Sequence, residues 1–261
     1  MSRPSWEVEP IVCLTSDLDW ASEEVIRFSH NLITRPNLRV TYFVTHNSSF
    51  INTLIDADQV DVGIHPNFLS GSSHGNNFEE VIESCLKIVP KAKSSRSHKY
   101  FEVDDTNDAL YERGIRYDSN LCTLMDSSLK PLTHRSRLIR FPIYFEDGAY
   151  VKYGFPFKPQ SVLKRMLAHE GLLIFNVHPI HIALNSPDYM YTRRIKNTLS
   201  RDEYIGIDER DLHRLRHPGR GICDLVVELL DAISQQGVST RSLEELFNEY
   251  MTLKDMVTQS E

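Results

Sequence analysis

Five short apolar runs are spaced along the first two-thirds of the chain, and segments that look helical lie between and after them. The runs are rich in β-branched and aromatic residues, which is typical of buried strands. They are "IVCLT" (11–15), "LRVTYFVT" (38–45), "VDVGI" (60–64), "RLIRFPIYF" (137–145) and "GLLIFNV" (171–177). The sequence therefore predicts at least five strands.

Five further segments are predicted as helices, and residues at their ends support the assignment. Ser22 and either Asn76 or Asn77 are suitable N-caps for the first two, and Pro90 lies just past the end of the second. The segments are 22–33, 76–89, 161–168, 222–237 and 242–251. Because strands and helices alternate through most of the chain, the sequence predicts an α/β fold with a parallel sheet.

The chain shows no internal repeat, no low-complexity tract and no clear linker. We therefore predict a single catalytic domain over residues 1–261. The segment from about 184 to 221 differs from the rest because it is polar and rich in arginine, with interspersed acids. We expect an elaborated loop or short helices there, and a phosphate group is one ligand that its arginines could contact.

The charge and hydropathy of the chain narrow the classes of partner. The formal net charge is −7, so the protein has no overall attraction for nucleic acid or for an anionic membrane. No apolar run approaches the roughly 20 residues that a transmembrane helix needs. The first ten residues, "MSRPSWEVEP", carry acids and prolines where a signal peptide has an apolar region, which predicts a cytoplasmic location. The four scattered cysteines form no CxxC motif, and we expect free thiols.

Acids, histidines and one arginine follow the ends of the predicted strands. In a parallel α/β sheet the loops at the C-terminal ends of the strands build the functional site, so we expect these side chains to converge. They are Asp17, Asp19, His65, Arg96, His98, Glu146, Asp147, His178 and His181. No single one of them is specific, but their shared position indicates a site.

Asp17 and Asp19 pose a particular electrostatic problem. Residues i and i+2 of an extended segment point to the same face, and two neighbouring carboxylates disfavour joint ionisation unless a cation is near. A divalent metal for one carboxylate and an arginine for the other would resolve the repulsion. The alternative is that one aspartate caps the helix that starts near residue 21 while the other is solvated.

The histidines allow several roles. His65 follows a strand and precedes Pro66, so its ring is fixed at a rigid strand end, which suits metal ligation as well as burial in the core. His74 lies in a glycine- and serine-rich loop and is a weaker ligand candidate. His178 follows the most apolar strand and could be a general acid, a metal ligand or a structural histidine. Arg96 could pair with a carboxylate or lie on the surface.

Taken in chain order, these motifs resemble the polysaccharide deacetylase superfamily, which contains the NodB homology domain of carbohydrate esterase family 4. The motifs are "LTSDLDW", "VTYFVT", the altered "HPNFLSGSSHG", "SRSHKY", "GIRYDSNL", "RFPIYFEDG" and "LLIFNVH". The resemblance covers residues 11–178 and is greatest to a divergent branch associated with O-antigen and surface-polysaccharide genes. It implies a distorted, incomplete (β/α) barrel of the NodB type.

The resemblance also implies a metal site. Asp19 matches the metal-binding aspartate and His65 matches the first metal-binding histidine. The second histidine of the family usually comes four residues after the first, where this chain has Leu69. His74 is the remaining histidine of the motif, and it could be the third ligand only if its loop doubles back. Zinc is the divalent ion that we expect.

The catalytic groups follow from the same resemblance. Asp17 matches the general base that takes a proton from water, and Arg96 would tune its pKa. His178 matches the general acid that protonates the leaving amine. Glu146 or Asp147 would orient His178, and the sequence leaves that choice open.

The function implied is metal-dependent removal of an N-acyl group, acetyl or formyl, from an amino sugar in surface-polysaccharide biosynthesis. Because no export signal is evident, we expect a nucleotide-linked or lipid-linked sugar as the substrate. Two alternatives stay open. The chain could be an inactive sugar-binding barrel that has lost its metal, or a metal-dependent amidase that acts on a non-sugar amide.

Overall fold

A computed structural model describes residues 3–258, which contain nine strands and twelve α-helices. The outermost residues of the predicted domain, 1–2 and 259–261, lie outside this range. The strands are β1 (Pro10–Asp17), β2 (Val40–Val44), β3 (Asp61–Ile64), β4 (Ser94–Ser95), β5 (Tyr117–Asp118), β6 (Leu132–Thr133), β7 (Ile139–Arg140), β8 (Ile143–Glu146) and β9 (Gly171–Val177). The helices are α1 (Glu23–Ile33), α2 (Ser49–Asp56), α3 (Phe78–Ile88), α4 (Asp104–Glu112), α5 (Asp147–Lys152), α6 (Pro159–Met166), α7 (Pro179–Leu184), α8 (Tyr189–Thr198), α9 (Arg201–Ile205), α10 (Glu209–Leu215), α11 (Ile222–Gln235) and α12 (Leu243–Thr258).

The strands form one sheet in the order β6-β7-β5-β4-β3-β2-β1-β9-β8. Neighbouring strands are parallel except for β6 and β7, which are antiparallel. Strand β1 pairs with β9 from Pro10 to Ser16 and with β2 from Leu14 to Asp17. The predicted α/β fold with a parallel sheet is therefore confirmed.

The sheet curls so that the chain after β5 reaches β8 at the far edge. The amide of Ile143 in β8 donates to the carbonyl oxygen of Leu121 at 2.7 Å, and the amide of Thr123 donates to the carbonyl oxygen of Ile143 at 2.9 Å. These bonds link the two ends of the sheet without a regular strand between them. The result is the incomplete barrel that the resemblance implied.

Strand β1 is apolar on both faces because both are covered. Val12 and Leu14 pack in the larger apolar cluster, which includes side chains of α1 and α11. Ile11 and Cys13 pack in a second cluster with Phe43 of β2 and with residues of β9 and α12. A continuous apolar run is typical of a parallel strand that is buried on both sides.

Two segments differ from the sequence-based expectation or refine it. The run 137–145 forms two strands, β7 and β8, because Pro142 between them has no N–H to donate to a ladder. The polar segment 184–221 contains the short helices α8, α9 and α10, in line with one of the two expected forms.

The four cysteines are free thiols, as expected. Between residues 3 and 258, no helix combines the length and apolar character that crossing a bilayer requires.

Candidate active site

The polar residues at the strand ends converge on one cavity of about 810 Å³. Asp17, Asp19, His65, Glu146 and His178 all contribute to its lining. Arg96 and Asp147 lie behind this lining and bond to two of its members, Asp17 and His178. The structure therefore brings together every catalytic residue expected from the sequence and two of the three expected metal ligands.

The end of β1 turns sharply, which separates its two aspartates. Asp19 and Trp20 both have left-handed backbone conformations, with φ of 47° and 56°, which are uncommon for residues other than glycine. The amide of Leu18 still bonds to the carbonyl of Phe43 at 3.1 Å, and the amide of Trp20 bonds to the hydroxyl of Thr45 at 3.1 Å. Asp17 thus stays with β1 while Asp19 reaches the loops that follow β3 and β4.

Backbone bonds place His65 and His98 side by side in those loops. The amide of His65 donates to the carbonyl of Val44 at 3.0 Å, and the amide of His98 donates to the carbonyl of Pro66 at 2.9 Å. The carboxylate oxygen Oδ1 of Asp19 lies 3.2 Å from Nε2 of His65 and 2.9 Å from Nδ1 of His98. The three residues offer ligand atoms that all lie within 4.8 Å of one another, which suits a single cation.

His74, the third ligand expected from the sequence, does not join this group. Its Nε2 donates to the carbonyl oxygen of Thr45 at 2.7 Å, and its Nδ1 accepts from the amide of Asn67 at 3.2 Å. Both ring nitrogens are therefore engaged in holding the loop. His98 stands beside Asp19 and His65 instead, so the structure groups His98, and not His74, with these two residues.

The electrostatics of Asp19 agree with a cation site. Burial raises the pKa of this carboxyl, but hydrogen bonds with His65 and His98 outweigh burial and hold the pKa well below its ordinary value. Asp19 is therefore an anion at neutral pH. One carboxylate and two imidazoles form a donor set that zinc uses in catalytic sites with an open coordination position. The residues present thus fit the divalent ion that the resemblance implied.

Asp17 is held by a buried arginine on the other side of the same turn. Nη1 of Arg96 donates to Oδ1 of Asp17 at 2.9 Å, and Nδ2 of Asn176 donates to its Oδ2 at 2.8 Å. Burial raises the pKa of Asp17, and the electrostatic influence of Arg96, with smaller contributions from neighbouring histidines, lowers it below the ordinary value. Asp17 is therefore ionised at neutral pH although only 2% of it is exposed.

Arg96 is itself fixed by a set of hydrogen bonds. Its Nε donates to the carbonyl oxygen of Ser119 and its Nη2 to the hydroxyl of Ser119, both at 2.7 Å. Its Nη1 also donates to Thr15 and Asn176, at 2.8 and 2.7 Å. The guanidinium lies over the ring of Phe43, 4.3 Å from the centroid. This planar group has no freedom to leave Asp17, which makes it a permanent counter-ion.

His178 is the residue immediately before helix α7, and Asp147 orients its side chain. Pro179 occupies the first turn of α7, where its missing N–H costs nothing, so the chain leaves β9 and starts a helix at once. Nδ1 of His178 donates to Oδ1 of Asp147 at 2.6 Å, and the amide of His178 donates to Oδ2 at 2.7 Å. Nε2 is left facing Asp17, 3.8 Å from its Oδ2.

The pKa of His178 is raised to about 10. Burial by itself lowers the pKa, but the charge and hydrogen bond of Asp147 outweigh it, with further contributions from Asp19 and Glu146. The imidazole is consequently a cation at neutral pH. Its Nε2–H is available to the cavity because Asp147 occupies Nδ1.

Glu146 and Asp147 have different tasks. The Glu146 carboxylate accepts from the amides of Gly148 and Ala149 at 3.1 and 2.5 Å and so caps α5. It lies 3.6 Å from Nδ1 of His178, against 2.6 Å for Asp147. The pair left open by the sequence is thus divided: Asp147 orients His178, and Glu146 supports the helix that carries Asp147.

The family model described as "WbmS-like: Polysaccharide deacetylase" matches residues 14–195. The chain belongs to this family. A WbmS-like relative of known structure, from Bordetella bronchiseptica and assigned as a polysaccharide deacetylase involved in O-antigen biosynthesis, has 26% sequence identity and a TM-score of 0.74. That match covers 86% of this chain and 91% of the relative.

A more distant structure shares the fold alone. The 4-α-glucanotransferase of Thermococcus litoralis is 12% identical with a TM-score of 0.51, and the match covers 92% of this chain and 38% of that enzyme. No curated protein sequence matches the chain. Membership of the WbmS-like polysaccharide deacetylase family supports hydrolytic deacetylation of a carbohydrate as the reaction.

Proposed function

We propose that this protein is a metal-dependent, zinc-type de-N-acetylase that acts on an amino sugar in surface-polysaccharide biosynthesis. The observation that carries the proposal is the division of two neighbouring carboxylates between different partners. Asp17 is bound by Arg96, while Asp19 lies between two imidazoles, and both aspartates face one cavity. The O-antigen assignment of the relative from Bordetella bronchiseptica supports the biosynthetic context.

Asp17 is the proposed general base. It is ionised, faces the cavity and is held in place by Arg96 and Asn176, so it can accept a proton from an attacking water without moving. Arg96 keeps the carboxylate available over a wide pH range by lowering its pKa.

His178 is the proposed general acid. An amide nitrogen cannot leave as an anion, so the reaction requires a proton donor close to it. His178 is protonated at neutral pH and turns Nε2 toward Asp17, while Asp147 holds Nδ1. The two groups have opposite charges in different surroundings, which separates the base and acid roles.

Asp19, His65 and His98 would hold the divalent ion. When bound, such an ion supplies Lewis-acid activation of the amide carbonyl and of the attacking water. Asp17 and His178 then need only to exchange protons with the reacting atoms. The alternative of a barrel without metal rested on the leucine at position 69, and His98 supplies a donor that this leucine cannot.

The reaction and its metal dependence can be tested together. The purified full-length chain should contain stoichiometric zinc and release amine from an N-acetylated amino sugar. A chelator should abolish the release, and added zinc should restore it. The panel should include N-formyl sugars and an acetyl-lysine peptide.

The possible outcomes separate the alternatives. Sugar binding without metal and without amine release would support an inactive barrel and contradict the proposal. Hydrolysis of the acetyl-lysine peptide but of no sugar would instead support an amidase that acts on non-sugar amides. Faster release from an N-formyl sugar would correct the acyl group and leave the metal mechanism in place.

A further inference from the structure

Three lysines line the candidate active-site cavity, and each comes from a different element. Lys99 lies in the turn after β4, Lys152 ends α5, and Lys196 is near the end of α8. None of them forms an ion pair with a carboxylate of residues 3–256, whose side chains the structure describes. Lys93 and Lys130, by contrast, form ion pairs with Glu244 and Glu7.

The carboxylates of the same cavity are already engaged. Asp17 is paired with Arg96, Asp19 bonds to two histidines, and Glu146 accepts two backbone amides of α5. The acids of this cavity therefore have hydrogen-bonded partners other than the three lysines. This is notable in a chain whose net charge is −7.

The backbone at Lys99 has an uncommon conformation. Lys99 and Tyr100 both have left-handed conformations, with φ of 57° and 55°. Such conformations in residues other than glycine persist where the surroundings enforce them, and they occur often at ligand-binding sites.

The surroundings of this turn are fixed on both sides. The amide of Ser97 bonds to Oδ1 of Asn120 at 2.9 Å, and Glu102 bonds to Arg140 through both carboxylate oxygens, at 3.0 and 2.6 Å. The turn between these anchors places Lys99 in the cavity lining and the hydroxyl of Tyr100 3.2 Å from Asn176.

The space available exceeds what the reacting amide needs. The main cavity of about 810 Å³ lies high in the range of roughly 300–1,000 Å³ that is typical of pockets for drug-sized ligands. A second cavity of about 400 Å³ adjoins it and shares Asp19, His98 and Lys196 with it. Trp20, Arg201 and Tyr204 also line this second cavity, so a further cation and two aromatic rings extend the surface beyond Lys196.

We propose that the amino-sugar substrate carries an anionic group, a phosphate or a carboxylate, and that Lys99, Lys152 and Lys196 bind it. This inference rests on the proposed deacetylase function and specifies its substrate class. Lys152 lies over the ring of Tyr153 and Lys196 over the ring of Tyr204, contacts that leave both ammonium charges in place. Ammonium groups that are not paired with carboxylates attract anions into a concave site and raise their local concentration. The substrate is then a charged sugar derivative and not a neutral sugar polymer.

Binding of charged and neutral sugars tests the inference directly. Calorimetric titration of the full-length protein should compare N-acetylglucosamine 1-phosphate, UDP-N-acetylglucosamine and N-acetylglucosaminuronic acid with neutral methyl N-acetylglucosaminide. We expect at least one anionic probe to bind about tenfold or more tightly than the neutral one, and added salt should reduce this preference by screening. Comparison of the affinities of the two phosphorylated probes with that of the uronic acid distinguishes phosphate from carboxylate as the preferred anionic group.

Substitution of the lysines assigns the preference to them. Lys99→Gln, Lys152→Gln and Lys196→Gln should each weaken binding of the anionic probe about twofold to fivefold, and the triple variant about tenfold or more. Binding of the neutral probe should not change. Lys91→Gln is the matched control. Lys91 is exposed in the turn before β4, on the side of the strand N-termini, whereas the cavity lies at the strand C-termini.

Several outcomes would overturn the inference. They are equal binding of neutral and anionic probes, no binding of any anionic probe, or an unchanged preference in the triple variant. Amine release measured in parallel keeps the two proposals apart. Amine release from a neutral sugar without any preference for charge would contradict the anion site but support the deacetylase function. Lysine-dependent anion binding without amine release from any probe would support the anion site but contradict the deacetylase function.

Discussion

Asp147 holds His178 by two atoms at once: one carboxylate oxygen accepts from the ring nitrogen Nδ1 at 2.6 Å and the other from the backbone amide at 2.7 Å. This double contact fixes both the position and the orientation of the imidazole. It also raises the pKa of His178 to about 10 against the opposing effect of burial. The acid form of the imidazole is therefore maintained well above neutral pH.

Asp147→Asn should move the alkaline limb of the activity profile to lower pH. The proposed role of His178 requires its protonated form, and removal of the Asp147 charge lets its pKa fall toward or below the ordinary value of about 6.5. Activity should then decline at a pH where the parent enzyme is still fully active, with turnover reduced about 10²- to 10⁴-fold at high pH. The measurement is kcat against pH for both proteins. An alkaline limb at the same pH in both would contradict the role of Asp147.

Asp17→Asn should abolish activity and leave the metal in place. The amide cannot accept a proton, so amine release should fall about 10²- to 10⁴-fold. Asp19→Asn, two residues away, is the matched comparison and should lose the metal as well as activity. Metal content by mass spectrometry and amine release are measured on both variants. Normal turnover in Asp17→Asn would refute its assignment as the base.

His98→Ala and His74→Ala separate the two candidate third ligands. His98 lies 2.9 Å from Asp19, whereas both ring nitrogens of His74 are bonded elsewhere. Zinc affinity should fall by about 100-fold or more in His98→Ala. Loss of a residue that only hydrogen-bonds to a metal ligand already lowers metal affinity about 10- to 100-fold, and loss of a ligand should lower it at least as much. It should change little in His74→Ala. Competition with a chromophoric chelator measures the affinity, and the reverse order of effects would restore His74 as the ligand.

Arg96→Met should destabilise the fold strongly. The substitution leaves Asp17 buried without its counter-ion, which costs about 3–5 kcal/mol in comparable buried pairs. Arg135→Met is the control, because Arg135 is 54% exposed and its ion pairs with Asp104 and Asp108 are worth about 0–1 kcal/mol. Urea unfolding gives both free energies of unfolding. Similar small losses in the two variants would show that Arg96 is not a structural counter-ion.

The sequence predicted the site better where strands are long. Strands β1 and β9 have eight and seven residues and contain long apolar stretches, so the residues that follow them could be assigned to one edge of the sheet. Strands β4 and β5 contain two residues each, too few to show any alternation of polar and apolar positions. Their place in the sheet is set by pairing with neighbours and not by local pattern.

The proposed third metal ligand shows why spacing within one motif is insufficient. Spacing favours His74, which follows His65 in the same loop, but His98 reaches the site from the next strand of the sheet. His98 lies two residues after Arg96, and the expected convergence of strand ends already places it at this edge of the sheet, although without a ligand role. The hydrogen bond from His74 to Thr45 depends on how the loop folds, which no local pattern reveals.

The irregular segment after β5, which joins the curled sheet to β8, bears on the position of His178. Cys122, Thr123 and Leu124 line the cavity, and the backbone of the same segment bonds to Ile143 in β8, the strand that leads directly to Asp147. One stretch of main chain therefore both lines the proposed sugar site and supports the strand that leads to the partner of the proposed acid. A substitution that shifts this segment is expected to alter substrate binding and the position of Asp147 together.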